Sequence, residues 1–325
     1  MSKQLIKYLL LACVLLIAAG CGGPEKTEKI NLKANDLHSA DFPTAQSTKY
    51  FGDLLAERSG DRIHLQLYTD GQLGDGKTID DALSDGILDI DRQGFDRYAG
   101  QIPLLQAFTM PYVFRDNAHV WKVLEGPIGD RVKEELKEKG VIVLAFYDAG
   151  LRNFYANKPI QTPEDLNGLR IRMIGGDIFK NMLQILHAEN LAIAYNNIYP
   201  SLQFNKIDAA ENNIPSYLSA RHYEMAKYYT FDEHVAIPEI LFITRQSWDK
   251  LSPKDQELLL ACGRDAQAQE RKLWDEYNKK GEEELKRQGV QFIHPDKEAF
   301  RRAMQPLYEK YPQLLPFIKE IQAVK

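Results

Sequence analysis

The hydrophobic and polar positions of the chain repeat with two periods, about 2 and about 3.6 residues, which are those of a half-buried strand and an amphipathic helix. Alternation predicts strands over residues 30–35, 63–67, 87–90, 141–146, 191–194 and 207–210. Helical spacing predicts helices over residues 43–58, 78–84, 178–186 and 197–204, a pair of helices between Ala118 and Lys139, and a last segment from Asp296 that Pro306 interrupts. Strands and helices in this rhythm predict a parallel α/β architecture.

Two further stretches depart from this rhythm. Residues 103–114, PLLQAFTMPYVF, predict an apolar and aromatic loop. A capping sequence at Ser252 opens a helical run that continues to Gly289, with Gly263 and Gly281 as positions where it could bend or break. At about 1.5 Å per residue, roughly 36 residues span on the order of 54 Å, so we expect this helix to brace two lobes.

The stretch TPEDLNGLRIR, which ends at Arg172, predicts a helical turn followed by a strand. Thr162 and Asp165 form a capping-box pattern, and Gly168 supplies the positive φ that ends such a turn. Arg170 and Arg172 then alternate with apolar residues, so both leave the strand on the face away from the core. Arg172 lies at the carboxyl end, where open α/β sheets hold ligands, and its guanidinium suits bidentate capture of a carboxylate. The alternative is that both arginines are solvated or form surface ion pairs.

The first 20 residues predict a targeting segment. Two lysines precede an apolar run of residues 8–19, which is too short for a comfortable membrane span. The run ends in Ala-Ala-Gly-Cys at Cys21, which resembles the lipobox of bacterial lipoproteins. We therefore expect a lipoprotein signal peptide over 1–20, lipid on Cys21 and a polar tether over 21–29. The alternative is plain signal-peptide cleavage, and both place the folded part outside the cytoplasm.

Composition and charge exclude several classes of protein. The 325 residues are 44% hydrophobic and 27% charged, which is typical of a globular protein, and the length suggests two domains. The formal charge is −5, two units more negative without the lysines of the signal, and no basic patch suggests nucleic acid. With Cys13 removed and Cys21 lipidated, Cys262 remains alone, so we expect no intramolecular disulfide and a buried thiol.

Catalytic and metal-binding motifs are absent from the sequence. It contains no Gly-x-Ser-x-Gly elbow, phosphate loop, dinucleotide glycine fingerprint or His-Glu-x-x-His, and its seven histidines are scattered. Asp89 and Asp91 could mark a cation, but acids at strand ends more often hydrogen-bond to the backbone. Binding is therefore favoured over catalysis, and we expect no metal, no cofactor and no enzyme activity.

Several longer motifs resemble one family, the substrate-binding proteins of tripartite ATP-independent periplasmic (TRAP) transporters. The motifs are GLRNFYANKPIQTPEDLNGLRIRM at 150–173, GILDI at 86–90, PYVFRD at 111–116, YNNIY at 195–199, IDAAENN at 207–213, DEH at 232–234 and WDKLS at 248–252. The resemblance covers essentially the whole mature chain, although Ala209 stands where a glycine is usual. It implies two α/β lobes of the periplasmic-binding-protein type, joined by crossing hinge strands and by a long helix that spans both. Residues 30–149 with about 238–277 would form lobe I, and residues 150–237 with about 278–325 would form lobe II.

The resemblance also implies roles for individual residues. Arg172 matches the arginine that pairs with the ligand carboxylate, Arg152 a second arginine near it, and Asn212 an asparagine that completes the coordination. Tyr195 falls where an aromatic lies against the ligand, and Asn35 where the first strand meets the cleft. The weaker candidates for ligand contact are Glu211, Tyr147, His38 and Arg92.

The expected function is capture of an organic acid outside the cytoplasm and its delivery to membrane permease subunits, by a protein that is monomeric. The sequences of residues 195–199 and 210–213 most resemble the subgroup associated with hexuronates and related sugar acids. Simple dicarboxylates are the next candidates for the ligand. Two alternatives remain: a ligand-sensing subunit of a receptor, and an extracytoplasmic hydrolase with paired carboxylates.

Overall fold

Two β-sheets organise the part of the chain that this computed structural model describes, residues 29–74 and 76–325. Residues 31–325 belong to one compact unit. The strands are β1 Ile30–Asn35, β2 Ile63–Tyr68, β3 Ile90–Gly94, β4 Val141–Tyr147, β5 Leu151–Ala156, β6 Arg170–Arg172, β7 Glu189–Asn190, β8 Ala209–Asn212, β9 Tyr228–Ala236, β10 Glu239–Thr244 and β11 Gln291–Ile293. The signal peptide, Cys21 and most of the tether lie outside the described residues.

The chain passes between the two sheets by two short crossings and a third time through residues 245–290. One sheet has the order β2-β1-β3-β10-β4, and the other has the order β11-β9-β5-β8-β6-β7. The segment 148–150 joins β4 of the first sheet to β5 of the second, and residues 237–238 join β9 back to β10. Two sheets linked by paired crossings are the arrangement that the predicted two-lobed α/β fold requires.

Each sheet is mixed rather than parallel throughout. β1 and β3 are parallel, as are β6 and β8, but β10 runs antiparallel to both β3 and β4. β5 likewise runs antiparallel to β8 and β9. β5 and β10 are the strands that arrive by a short crossing, so each enters its sheet from the opposite direction. The predicted parallel architecture therefore holds only for the strands within each local βα series.

The helices flank and connect the sheets. They are α1 Pro43–Arg58, α2 Lys77–Ser84, α3 Asp96–Ala99, α4 Pro103–Phe108, α5 Asn117–Leu124, α6 Pro127–Glu138, α7 Asp177–Ile185, α8 Ile198–Gln203, α9 Ile214–Ser219, α10 Arg245–Trp248, α11 Pro253–Arg287, α12 Lys297–Ala303, α13 Gln305–Lys310 and α14 Leu315–Ala323. The predicted turn after Thr162 is a 3-10 helix, Pro163–Leu166, with the predicted capping box. Gly168 has the predicted positive φ, 73°.

The long helix α11 is continuous over 35 residues. Ser252 caps its start by accepting a hydrogen bond from the backbone N of Asp255. Gly263 and Gly281 neither break nor end it. Instead, each glycine allows a close contact, Gly263 with β4 and Gly281 with α9. The helix contacts α1 and β4 beside the first sheet and α9 beside the second, so it spans both, as predicted. Cys262 on this helix is free and buried, also as predicted.

Three predicted strands are misplaced. The structure places β3 at Ile90–Gly94 rather than 87–90, and Ile87 is 59% exposed. β8 is Ala209–Asn212 rather than 207–210, and residues 191–194 form no strand. Distant partners decide the first two: β10 pairs along the whole of β3, and β5 pairs with β8 as far as Asn212. Near the third, β7 at Glu189–Asn190 pairs with β6 instead. Polar strand ends that line a cavity do not show the alternation on which the prediction depended.

The predicted loop at 103–114 contains a helix, α4, whose first position is Pro103. Its side chains are buried on nearly every side, which removes the helical periodicity. The last helix, α14, packs against α4, and Glu320 on α14 forms an ion pair with Arg131 on α6, Nη2 to Oε2 2.9 Å. The strands β9, β10 and β11 and the helix α9 were not predicted at all.

Candidate functional site

A cavity of about 230 Å³ lies where strand ends of both sheets meet. β1, β3, β6 and β8 bring their carboxyl ends to it, and the antiparallel strands β5 and β10 bring their amino ends. Ligands in open α/β folds bind at this position of the sheet. Seven of the nine predicted site residues line the cavity: Asn35, His38, Arg92, Arg152, Arg172, Tyr195 and Asn212.

Arg172 is the last residue of β6, and its side chain is 9% exposed. Its Nε donates to the carbonyl O of Ile193 at 3.0 Å, which fixes the guanidinium plane. Within residues 29–74 and 76–325, neither terminal nitrogen of Arg172 has a hydrogen-bond acceptor or an ion-pair partner. Burial lowers the pKa of Arg172, and the nearby Arg152 lowers it further. A buried cation with two free donors is a site for an anion.

Arg152 lies beside Arg172 but is already paired. Its Nη2 donates to Glu211 Oε1 at 2.9 Å and its Nε to Glu211 Oε2 at 2.5 Å. Glu211 in turn lies 3.5 Å from Nε2 of His234, whose Nδ1 is 2.7 Å from Asp232 Oδ2. Burial alone would raise the pKa of Glu211, but Arg152 and His234 lower it to about 2. Glu211 therefore fixes the position of Arg152 through an ion pair, but it does not itself line the cavity.

Arg92 on β3 is the centre of a second paired cluster. Its Nη2 donates to Asp36 Oδ1 at 3.0 Å, and its Nη1 is 2.8 Å from Glu239 Oε1. His38 Nδ1 is 2.7 Å from Arg92 Nη2, and its ring stacks on Phe42 with centroids 3.9 Å apart. Arg92 holds the pKa of Asp36 below its usual range despite complete burial. This cluster forms a rigid polar wall of the cavity.

The neutral lining groups are also held by the protein. Asn35 Nδ2 donates to Asp91 Oδ1 at 2.9 Å, and Asn212 Oδ1 accepts from the backbone N of Asn213 at 2.9 Å. The Tyr195 ring lies 5.5 Å from that of His38. These contacts orient amide and aromatic groups toward one volume, as expected of a preformed binding site.

Tyr147 is the one predicted site residue that the structure places in the interior without linking it to the cavity. It is fully buried at the end of β4, and its hydroxyl lies 3.4 Å from Thr48 Oγ1. The resemblance made it a weaker candidate for ligand contact. Its side chain points under α1 instead, so we withdraw it as a ligand contact.

A model of one protein family matches residues 34–314: bacterial extracellular solute-binding protein, family 7. The chain belongs to this family. A solute-binding protein of Chromohalobacter salexigens is 31% identical over 293 residues, covering 88% of this chain and 87% of the relative. Two solved TRAP periplasmic solute-binding proteins have the same fold. The one from Pseudomonas putida F1, with bound D-glucuronate, has a TM-score of 0.88, 33% identity and coverage of 91% and 98%. The one from Xanthobacter autotrophicus Py2, with bound β-D-galacturonate, has a TM-score of 0.86, 34% identity and coverage of 90% and 100%.

Membership confirms the family that the sequence motifs indicated, and with it the two-lobed α/β fold. The protein is an extracellular solute-binding protein of TRAP type. In residues 29–74 and 76–325, no helix is both long and apolar enough to cross a membrane. Asp89 accepts a hydrogen bond from the backbone N of Lys33, which is the backbone contact expected of such an acid, whereas Asp91 accepts from the side chains of Asn35 and Gln93.

The cavity of the solute-binding protein is also lined by residues that were not predicted from the sequence. They include Gln93, Asp96, Glu239, Asn213 and Ser216. Gln93 and Asp96 follow directly from the true position of β3, since they lie at and just beyond its carboxyl end. A prediction of that strand over 90–94 would have found them.

Proposed function

We propose that this solute-binding protein captures a hexuronate and delivers it to the membrane permease subunits of a TRAP-type transporter. The observation that carries the proposal is Arg172, a buried guanidinium at the cavity whose two terminal nitrogens have no partner among the described residues. The relatives with bound D-glucuronate and β-D-galacturonate support the choice of ligand.

The chemistry of the lining fits a sugar acid. A carboxylate that leaves water needs charge and donors in return, and the fork of Arg172 offers two aligned N–H groups. Arg152 and Asn212 stand beside it to satisfy the remaining lone pairs. Sugar hydroxyls need neutral partners and acceptors, which Asn35, Tyr195 and His38 supply on the other walls. A hydrophobic acid would leave these polar groups unpaired, which disfavours it.

The two sheets would act as two lobes that close on the ligand. We assign residues 30–149 with about 238–277 to lobe I, and residues 150–237 with about 278–325 to lobe II. The crossings at 148–150 and 237–238 are the candidate hinges. A ligand with higher affinity for the closed form shifts the population toward it, and closure is the signal that the membrane subunits read.

Three further properties belong to the same proposal. The mature protein would be held at the membrane by lipid on Cys21, would work as a monomer, and would release its ligand unchanged. Recovery of the bound compound, and its analysis by mass spectrometry, tests the last of these, because an enzyme would return a product.

Titration calorimetry on the mature protein tests the ligand class. D-glucuronate and D-galacturonate should bind tightly, while the matched neutral sugars, glucose and galactose, should bind at least a thousandfold more weakly, since they leave a buried cation without a partner. Binding of the neutral sugars alone, or of amines alone, would remove the proposal.

A further inference from the structure

Four arginines line the cavity, and three of them are already matched by acids of the chain. The pairs are Arg92 with Asp36 and Glu239, Arg97 with Asp80, and Arg152 with Glu211. Only Arg172, of these four, has no acid within ion-pair distance among the described residues. The cavity therefore offers one free positive charge, which is sufficient for one carboxylate.

Asp96 adds a carboxylate to the lining of the same cavity. It is the first residue of α3 and lines the cavity wall, and it forms no ion pair with any residue of 29–74 or 76–325. Its Oδ1 lies against Gly94, where an added Cβ would collide with it. Gly94 therefore makes room for this carboxylate. Burial raises the pKa of Asp96. Arg152 and Arg172 lower this pKa, and Glu239 raises it.

We propose that Asp96 is a specificity-determining residue, whose carboxylate accepts hydrogen bonds from ligand hydroxyls and rejects a ligand with a second carboxylate. The assignment rests on the proposed hexuronate function and deepens it. It separates the two ligand classes that the sequence left open, sugar acids and simple dicarboxylates.

The physical reason is the balance of charge inside a small volume. A carboxylate lining a cavity loses hydration when the site closes, and hydroxyl groups of a sugar can replace that water. A second ligand carboxylate would instead have to share about 230 Å³ with Asp96 and Glu239 and would find no unmatched arginine. Like charges in a poorly hydrated site repel strongly. Burial already raises the pKa of Asp96 to about 6, so the site disfavours additional negative charge.

Calorimetry with three compounds of one carbon skeleton tests the assignment. The compounds are D-galacturonate with one carboxylate, galactarate with two, and galactose with none. The wild-type protein should bind galacturonate at least about tenfold more tightly than galactarate. In D96N the affinity for galacturonate should fall about tenfold to a hundredfold, as for loss of a hydrogen bond to a charged acceptor, and the ratio between the two acids should shrink at least about tenfold.

A matched control removes the same charge elsewhere. Asp85 is exposed, follows α2 and does not line the cavity, so D85N should leave both affinities unchanged. Because the neutral amide relieves the cost of holding a charge at the half-buried Asp96, D96N should melt no lower than the wild type. An unchanged ratio in D96N would overturn the role of Asp96 while leaving the hexuronate function in place. Failure of the wild type to bind galacturonate or glucuronate would instead overturn the function itself.

Discussion

Arg170 and Arg172 lie two residues apart on β6 and differ in one decisive respect. Arg170 donates from Nε and Nη2 to the two carboxylate oxygens of Asp208, at 2.9 and 2.7 Å, and its side chain is 39% exposed. Arg172 is buried at the end of the same strand, and no acid in residues 29–74 or 76–325 pairs with it. Arg170 is therefore paired within the protein, whereas Arg172 is available to bind a ligand.

Removal of the Arg172 side chain should abolish tight binding. For R172A we expect a loss of at least about 2–5 kcal/mol in binding free energy, or roughly 30-fold to several thousandfold in Kd, as for a buried partner of a charge. R172K should also bind weakly, because an ammonium group cannot reproduce two parallel N–H donors. Calorimetry with D-glucuronate measures both variants, and near-normal affinity in R172A would contradict the central role of this residue.

R170A is the matched control for that experiment. It removes the same side chain from the same strand, but from an exposed ion pair outside the cavity. Such a pair contributes on the order of 0–1 kcal/mol to folding. We expect a small decrease in the melting temperature and an unchanged Kd.

The two most buried histidines near the site should differ in protonation state at neutral pH. Burial by itself lowers the pKa of His234, but the Asp232 and Glu211 carboxylates raise it to about 9. Burial and the charge of Arg172 lower the pKa of His222 to about 3. Nitrogen chemical shifts of the imidazole rings at pH 7.5 should therefore report an imidazolium for His234 and a neutral ring for His222. A neutral His234 would contradict a charged His234 beside Glu211, the acid that pairs with Arg152.

The same pKa values predict how stability depends on pH. Because the pKa of His234 is raised on folding, its contribution is fully present below about pH 6.5 and is lost as the pH rises through about 9, a change of about 3 kcal/mol. His222 has the opposite sign, since its contribution is lost as the pH falls from 6.5 toward 3. The difference in unfolding free energy between wild type and H234Q, measured by urea at several pH values, should shrink between pH 6.5 and 9. A constant difference would contradict the assignment.

Gly263 should tolerate no side chain, although it lies within a helix. A Cβ at this position would collide with the carbonyl oxygen of Leu144 on β4, which is backbone and cannot rotate away. Alanine is the better helix former by about 1 kcal/mol, but overpacking costs about 1–3 kcal/mol or more. We therefore expect G263A to lower the unfolding free energy, measured by urea denaturation.

G281A tests the same substitution on the same helix where the neighbours can move. Its Cβ would lie 3.1 Å from Ile214 Cγ2 and 3.4 Å from Leu218 Cδ2, which are the ends of side chains. We expect a change of less than about 1 kcal/mol in either direction. Equal stability of G263A and G281A would show that the contact of α11 with β4 is looser than described.

Lipid on Cys21 can be tested in a bacterial host, because a lipidated protein remains with the membrane fraction. The C21S variant should move to the soluble fraction and lose the mass of the lipid. C262S is the control, since Cys262 is buried in α11 and should leave the membrane attachment unchanged. A soluble, unmodified wild type would favour plain signal-peptide cleavage.

Features that depend on neighbours along the chain could be predicted from the sequence. The capping box at Thr162, the strand that ends at Arg172 and the long helix after Ser252 are all set by local periodicity and capping, and all were predicted. The motifs also indicated the family, together with seven residues that line the cavity.

Which of those residues can bind a ligand depends on contacts between distant parts of the chain. Arg152 and Arg172 are alike in sequence, but Glu211, which is 59 residues from Arg152, pairs with one and leaves the other unmatched. The true bounds of β3 depend on pairing with β10, some 150 residues away, and those bounds bring Asp96 to the site. Strand pairing and charge pairing join residues that are distant in the chain, and no local pattern of apolar and polar positions encodes their partners.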